Sequence, residues 1–245
     1  MAMLDFNRAN LSGSELNIAI NGLLDAAALQ QQRLERSRDY LGASIIGSEC
    51  LRKVQYDWMC DSIFPARTKA IFDRGHAMEE ISARALAQAG FRIERNTKRT
   101  EFSTADDRFK GHADGIILDG PQVKGLRYPC LWEHKALGDS GWKKIERDGL
   151  RRVYPVYWDQ CQLYMAYLNL DENPALFTAV NANTCERLHL LVPFDAAAAQ
   201  AASDRAVRVI KATLAGELLP RITEKPDDWR CRMCSRRERC WNGKA

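Results

Sequence analysis

Asp114 lies in the run Gly111-His112-Ala113-Asp114-Gly115-Ile116-Ile117-Leu118, and Glu133 and Lys135 lie in Leu131-Trp132-Glu133-His134-Lys135. Both runs are otherwise apolar and strand-like. Side chains alternate along a strand, so Glu133 and Lys135 share one face while Trp132 and His134 take the other. If the two strands pair, Asp114 joins Glu133 and Lys135. Burying such charges is costly unless they are paired or bind a cation. Two carboxylates, with the backbone carbonyl of His134 as a third oxygen, are hard ligands suited to Mg²⁺ or Mn²⁺. Such an ion polarises a phosphoryl oxygen and acidifies a water, and Lys135 can orient that water or offset the negative charge of a phosphodiester transition state. The bland use of the same residues is a surface aspartate beside a cross-strand Glu–Lys pair. Glu-x-Lys alone discriminates poorly; the glycine-bracketed Asp114 tips the reading towards catalysis.

These residues need a sheet and helices to hold them. The spacing of Leu16, Ile18, Ile20, Leu23, Leu24, Ala27, Leu29 and Leu34 predicts an amphipathic helix from Ser14 to about Tyr40, capped by Ser12 or Ser14. Cys50–Met59 and Phe72–Ala89 read as helices, the second stopped by Gly90. Phe91–Arg95, Arg99–Ser103, Gly111–Leu118 and Cys130–Ala136 read as consecutive antiparallel strands, with turn chemistry at Asp119-Gly120-Pro121. A basic, glycine-flanked connection from Gly138 to Tyr154 leads to a helix over Pro155–Leu170, with proline in its first turn. Strands at Ala175–Asn181 and Glu186–Val192 and an alanine-rich helix over Phe194–Leu214 complete the order. That order predicts the α/β class, a mixed central β-sheet flanked by helices. Residues 1–41 form a helical extension, 42–220 a core and 221–245 a cysteine-rich lobe.

With these motifs in this order, the chain resembles the PD-(D/E)XK nuclease superfamily, in its RecB-like and CRISPR-associated Cas-four-type exonuclease branch, over roughly residues 42–241. The resemblance implies a Mg²⁺- or Mn²⁺-dependent exonuclease that hydrolyses phosphodiester bonds at DNA ends in recombination, repair, phage replication or CRISPR adaptation. A helix carrying Gly-x-x-x-His or Gly-x-x-x-Glu precedes the aspartate strand in those families. Here Gly75-His76-Ala77-Met78-Glu79 stands in that place. Glu79 falls where many relatives have histidine, and either side chain can hold a divalent ion; the alternative is a solvated glutamate beside Glu80. His76 reads as structural. The families' Gln-x-x-x-Tyr motif is matched by Gln160 and Tyr164. At i and i+4 the two share one helix face and can support the site together. By the resemblance Glu79, Asp114 and Glu133 position the ion with the His134 carbonyl, Lys135 assists the attack of water, and Gln160 and Tyr164 back the site.

Of eight cysteines, Cys231, Cys234 and Cys240 cluster near the C-terminus. Three thiolates are one short of a closed site, and spacing alone fits zinc as well as iron–sulfur. The resemblance supplies Cys50 as fourth ligand of a structural 4Fe-4S cluster, with zinc as the alternative occupant. Cys60, Cys130, Cys161 and Cys185 read as small core residues.

Hydrophobic residues at 46% and charged residues at 28% describe a folded chain able to bury a core. Asp5, Arg8 and Glu15 interrupt the first thirty residues, and no run reaches the length of a membrane span, so a cytoplasmic protein without membrane association is expected. The net charge is only +4, yet residues 221–245 carry that whole excess. Arg230, Arg232, Arg236, Arg237 and Arg239 interleave with the cysteines and suit a phosphate backbone. A second basic stretch, Lys143, Lys144, Arg147, Arg151 and Arg152, lies among Trp142, Tyr154, Tyr157 and Trp158, which suits single-stranded or end-bearing DNA; its alternative is a solvated loop anchored by its aromatics. No helix-turn-helix or zinc-finger pattern is present, so sequence-tolerant binding is expected. A homo-oligomer is compatible with the resemblance. Two rival functions use the same residues: a non-catalytic DNA-end-binding module, which has no need for Asp114, Glu133 and Lys135, and a zinc-stabilised adaptor, which leaves all three unexplained.

Overall fold

The computed structural model describes residues 13–35, 38–60 and 63–243; expectations placed on Asp5, Arg8 and Ser12 lie outside them. The chain forms two compact units, one of residues 1–37 and 62–74 and one of residues 38–61 and 75–245.

Helix α1 (Glu15–Leu34) belongs to the smaller unit. Ser14 caps it by accepting from the Asn17 amide. It stops at Leu34 rather than near Tyr40, because the apolar period ends there and Glu35 turns extended. Its Gln32 side chain accepts from the Phe64 amide at 2.8 Å and donates to the Phe64 carbonyl at 2.9 Å.

The larger unit continues with β1 (Leu41–Gly42), α2 (Leu51–Met59) and, from Gly75 onward, the second part of α3 (Ala66–Gln88). Then come β2 (Arg92–Glu94), β3 (Glu101–Thr104), β4 (Phe109–His112), β5 (Gly115–Asp119) and β6 (Cys130–Leu137). Helices α4 (Asp139–Asp148), α5 (Leu150–Val153) and α6 (Pro155–Tyr167) lead to β7 (Ala175–Asn181), β8 (Arg187–Val192) and α7 (Ala196–Leu214). Short helices α8 (Trp229–Arg232) and α9 (Arg237–Asn242) follow.

Among the described residues the strands form two sheets, one ordered β1-β4-β3 and one ordered β2-β5-β6-β7-β8. The expected run of antiparallel strands is therefore divided. The single strand expected over Gly111–Leu118 breaks after His112: the Ala113 amide bonds the Thr100 carbonyl on the first sheet's side, whereas Gly115 pairs with Trp132 in the second.

In the five-stranded sheet β6 and β7 run parallel, and the other pairings are antiparallel. A parallel neighbour requires a crossover, usually helical. This corrects the connection expected over residues 138–154, which forms α4 and α5. Trp142 and Ile145 face the core one helical turn apart, while Lys143, Lys144, Glu146 and Arg147 face water. Trp142 is buried and donates its Nε1–H to the Ala179 carbonyl, so it is a core residue and not a stacking platform for a base.

The strands bury Ile117, Leu131, Trp132 and Phe177 completely or almost so, and Trp132 satisfies its indole N–H on Thr178 Oγ1 at 3.0 Å. Gly47 lets the segment before α2 lie against α6. A Cβ there would stand 2.5 Å from the Val156 Cα and 3.1 Å from the Asp159 Cβ, and backbone cannot yield cheaply. Gly47→Ala is expected to destabilise the fold by about 3 kcal/mol, read as a lowered denaturant midpoint; an unchanged midpoint would refute the close approach.

Candidate active site

Asp114 sits where the chain leaves one sheet for the other, immediately before β5. The β5–β6 register sets Gly115 beside Trp132, and one step further the carboxylate of Asp114 accepts the His134 amide at 2.7 Å. Alternation along β6 puts Glu133 and Lys135 on the same side. Lys135 Nζ donates to the His134 carbonyl at 2.9 Å and to Glu133 Oε2 at 3.2 Å, and lies 3.5 Å from Asp114 Oδ2. Helix α6 brings Gln160, whose Nε2 donates to Glu133 Oε2 at 2.9 Å.

Glu133 is 1% exposed, whereas Asp114 and Lys135 keep 17% and 20% of their side chains open, so the cluster has a buried floor and an accessible mouth. Burial, then repulsion by Asp114, raises the Glu133 carboxyl well above the ordinary range. The same two causes, in the same order, raise Glu79. Burial alone would lower Lys135, but Asp114 and then Glu133 outweigh it and raise its pKa, so the ammonium keeps its proton.

The structure separates the two halves of His134. Its carbonyl faces the cluster, while its imidazole lies on the opposite face of β6, buried, with Nε2 3.1 Å from Ser82 Oγ. Burial lowers that imidazole to about 4 and keeps it neutral. Tyr164 is buried under the site, its ring 6.0 Å from that of Phe102, and its hydroxyl interacts with Gln160; burial raises its pKa. His76, expected to be structural, is 80% exposed and lies with Nδ1 4.0 Å from Glu79 Oε2, so it is not a core residue.

Arg95 is a member of this site that motif reading missed. It pairs through Nη2 with Glu79 Oε1, through Nη1 with Glu80 Oε1 at 2.8 Å, and its Nε donates to the Asp114 carbonyl at 2.9 Å. One sequence signal existed: in the alternating run Phe91–Arg95, an arginine falls on the face of Ile93, beside Gly115.

The four cysteines expected to act together do line one cavity, of about 260 Å³, bounded by Cys50, Cys231, Cys234 and Cys240 with Tyr56 and Trp241. Cys50 is the N-cap residue of α2, and the tail is tied to the same helix: Arg236 Nε donates to Asp57 Oδ1 at 2.9 Å, and the Arg239 guanidinium lies 5.5 Å from the Tyr56 ring. Arg230 pairs with Asp228 at 3.0 Å and lies 3.6 Å from Glu49. Of the five interleaved arginines, Arg232 and Arg237 are exposed, whereas Arg236 is held against α2. Among the other cysteines, Cys130 and Cys161 are core residues as expected, but Cys185 is exposed. Burial pushes the Cys130 thiol up to about 12.

As the side chains stand, no three His, Cys, Asp or Glu residues among those described converge closely enough to hold a metal ion. Two observations nonetheless fit a cation at the carboxylates. The Lys135 ammonium is already a cation held by the three oxygens assigned to an ion from sequence, and Glu133 Oε1 is buried without a hydrogen-bond partner. At the tail, four thiols around one cavity are a soft donor set.

Mixed sheets flanked by helices thus carry a lysine among carboxylates where the chain passes from one sheet to the other. No protein-family model matches the chain, nor does any curated protein sequence. Among solved structures, the chain is similar to the alkaline exonuclease LHK-Exo from Laribacter hongkongensis, at 15% identity and a TM-score of 0.54, covering 80% of this chain and 93% of that one. It is similar to LHK-Exo in complex with dAMP at 16% identity and a TM-score of 0.52, with the same coverage. SSO0001 matches at 15% identity and a TM-score of 0.49, over 92% of this chain and 98% of that one. The chain thus shares the fold seen in that alkaline exonuclease. No described helix is long and apolar enough to cross a membrane.

Proposed function

We propose that this chain is a divalent-metal-dependent DNA exonuclease of PD-(D/E)XK type. The observation that carries the reading is the Lys135 ammonium gathered by Asp114 Oδ2, Glu133 Oε2 and the His134 carbonyl within a nuclease fold. When bound, Mg²⁺ or Mn²⁺ supplies Lewis-acid polarisation of the phosphodiester and a more acidic water. Asp114, Glu133 and the His134 carbonyl would hold that ion, with Glu79 from α3. Lys135 stays protonated; displaced from these oxygens by the ion, its ammonium would lie where negative charge grows on the phosphate. Gln160 holds Glu133 Oε2, while Oε1 is buried without a hydrogen-bond partner and would be available to the ion. Tyr164 supports Gln160 from below. Exposed Lys144, Arg152, Arg232 and Arg237 would meet the DNA backbone without reading its sequence.

At the tail the proposal is a structural 4Fe-4S cluster on Cys50, Cys231, Cys234 and Cys240, zinc being the other ion those thiols suit. Their shared cavity supports the ligand set, and the resemblance supports iron.

The test is incubation of the full chain with end-labelled single- and double-stranded DNA in Mg²⁺, Mn²⁺ or chelator. Ion-dependent shortening from the ends is expected. A folded protein that cleaves neither substrate with either ion would overturn the proposal in favour of a DNA-end-binding module.

A further inference from the structure

Four carboxylates, those of Glu79, Glu80, Asp114 and Glu133, meet two cations, Lys135 and Arg95. Ionised together they leave a formal charge of −2, which one divalent ion balances. Lys135 occupies the Asp114 and Glu133 side of this group and Arg95 the Glu79 and Glu80 side. Arg95 is only 14% exposed, all three of its nitrogens are engaged, and its guanidinium lies 5.7 Å from the Trp132 ring.

We propose that Arg95 competes with the divalent ion for Glu79 and, once displaced, becomes the phosphate-binding arm of the site. The inference rests on the reading of Glu79 as a metal ligand. An ion bound at Glu79 repels the guanidinium that pairs with the same carboxylate, and the Nη2 bond is the one that must break. The bond from Nε to the Asp114 carbonyl and the contact with Trp132 do not involve Glu79, so they retain the arginine inside the site. The freed Nη2 can then donate to a phosphate oxygen while Nη1 keeps Glu80 and Nε keeps the Asp114 carbonyl, a fixed arrangement of three donors that an ammonium cannot reproduce. Ion capture would thereby convert Arg95 from a counter-charge into a substrate contact, and Arg95 would act as a positioning residue for Glu79 until then.

A purely structural Arg95, pinning α3 to β5, predicts the opposite effect on ion binding, and this separates the two. Mn²⁺ affinity of the full chain, read by the electron paramagnetic resonance of free Mn²⁺, is expected to be about tenfold tighter in Arg95→Gln than in the wild type, the equivalent of one charge-assisted hydrogen bond no longer competing. Binding of a cleavage-resistant phosphorothioate oligonucleotide, read by anisotropy, is expected to weaken several-fold in the same variant with Mn²⁺ present and to stay unchanged without it. Unchanged or weaker Mn²⁺ binding in folded Arg95→Gln would overturn the inference. Should that variant melt below the assay temperature, a Glu79→Gln variant that binds Mn²⁺ like the wild type would likewise overturn the inference. A wild type that binds Mn²⁺ through Glu79 but cleaves no DNA would instead sink the nuclease reading and leave the role of Arg95 in ion capture standing.

Discussion

Lys135→Ala is expected to lower metal-dependent DNA cleavage by about 10²–10³-fold, the loss that follows removal of one preorganised charge or donor from a transition state. Glu133→Gln is expected to lower it at least as far, because it preserves the volume and removes the buried ligand charge. The two variants fail for different reasons, and their stabilities show it. Removing Lys135 strips a 1%-exposed carboxylate of its nearest cation, and an orphaned buried charge can cost about 3–5 kcal/mol. Glu133 has an escape, since its carboxyl is already raised by burial and by Asp114 and can take up a proton. Lys135→Ala is therefore expected to remain folded, with a thermal midpoint lowered by a few degrees, while Glu133→Gln keeps its bond partner Gln160 and melts close to the wild type. End-labelled substrate with Mg²⁺ or Mn²⁺, alongside a melting curve for each variant, checks both statements. Wild-type cleavage rates in either folded variant would remove this pair from the mechanism.

Cys231→Ala is expected to abolish metal retention at the tail and to lower Tm by about 10 °C or more, given that a structural metal group adds several kcal/mol to folding and that each kcal/mol moves Tm by ~2–4 °C at this chain length. Cys50→Ala should do the same although it lies far away in sequence, because both residues line one cavity. Cys185→Ser is the control: it is exposed and outside that cavity, and should change neither metal content nor Tm. Iron with visible brown absorbance in the purified protein supports the 4Fe-4S assignment, and zinc without iron replaces it. Unchanged metal content and Tm in Cys231→Ala would deny the cysteines a ligand role and leave the tail held by Arg236 on Asp57, Arg239 over Tyr56 and Arg221 on the Cys240 carbonyl.

Short-range periodicity accounts for what could be read directly. Glu133 and Lys135 share a face because strands alternate, Gln160 and Tyr164 share one because they are a helical turn apart, and β7 has the predicted ends because Ala175–Asn181 is a mostly apolar run, broken by Thr178 and closed by Asn181, that is buried on both faces. The convergence of Cys50 on Cys231, Cys234 and Cys240 was different in kind. It crosses most of the chain, and only the family resemblance, not any local pattern, pointed to it.

The sequence by itself determined which residues carry charge in apolar surroundings and which face of its own element each occupies, since these depend on neighbours within a few positions. Tertiary structure decided the rest. The run Gly111–Leu118 splits between two sheets because Ala113 and Gly115 find different partners, Thr100 and Trp132, and that split is what sets Asp114 at the mouth of the site. Residues 139–153 are helical because β6 and β7 lie parallel and need a crossover, a constraint invisible within the segment. Arg95 carries no motif at all; its place comes from the meeting of β2, α3 and Asp114, where a buried guanidinium must satisfy its donors on whatever carboxylates and carbonyls the fold brings to it.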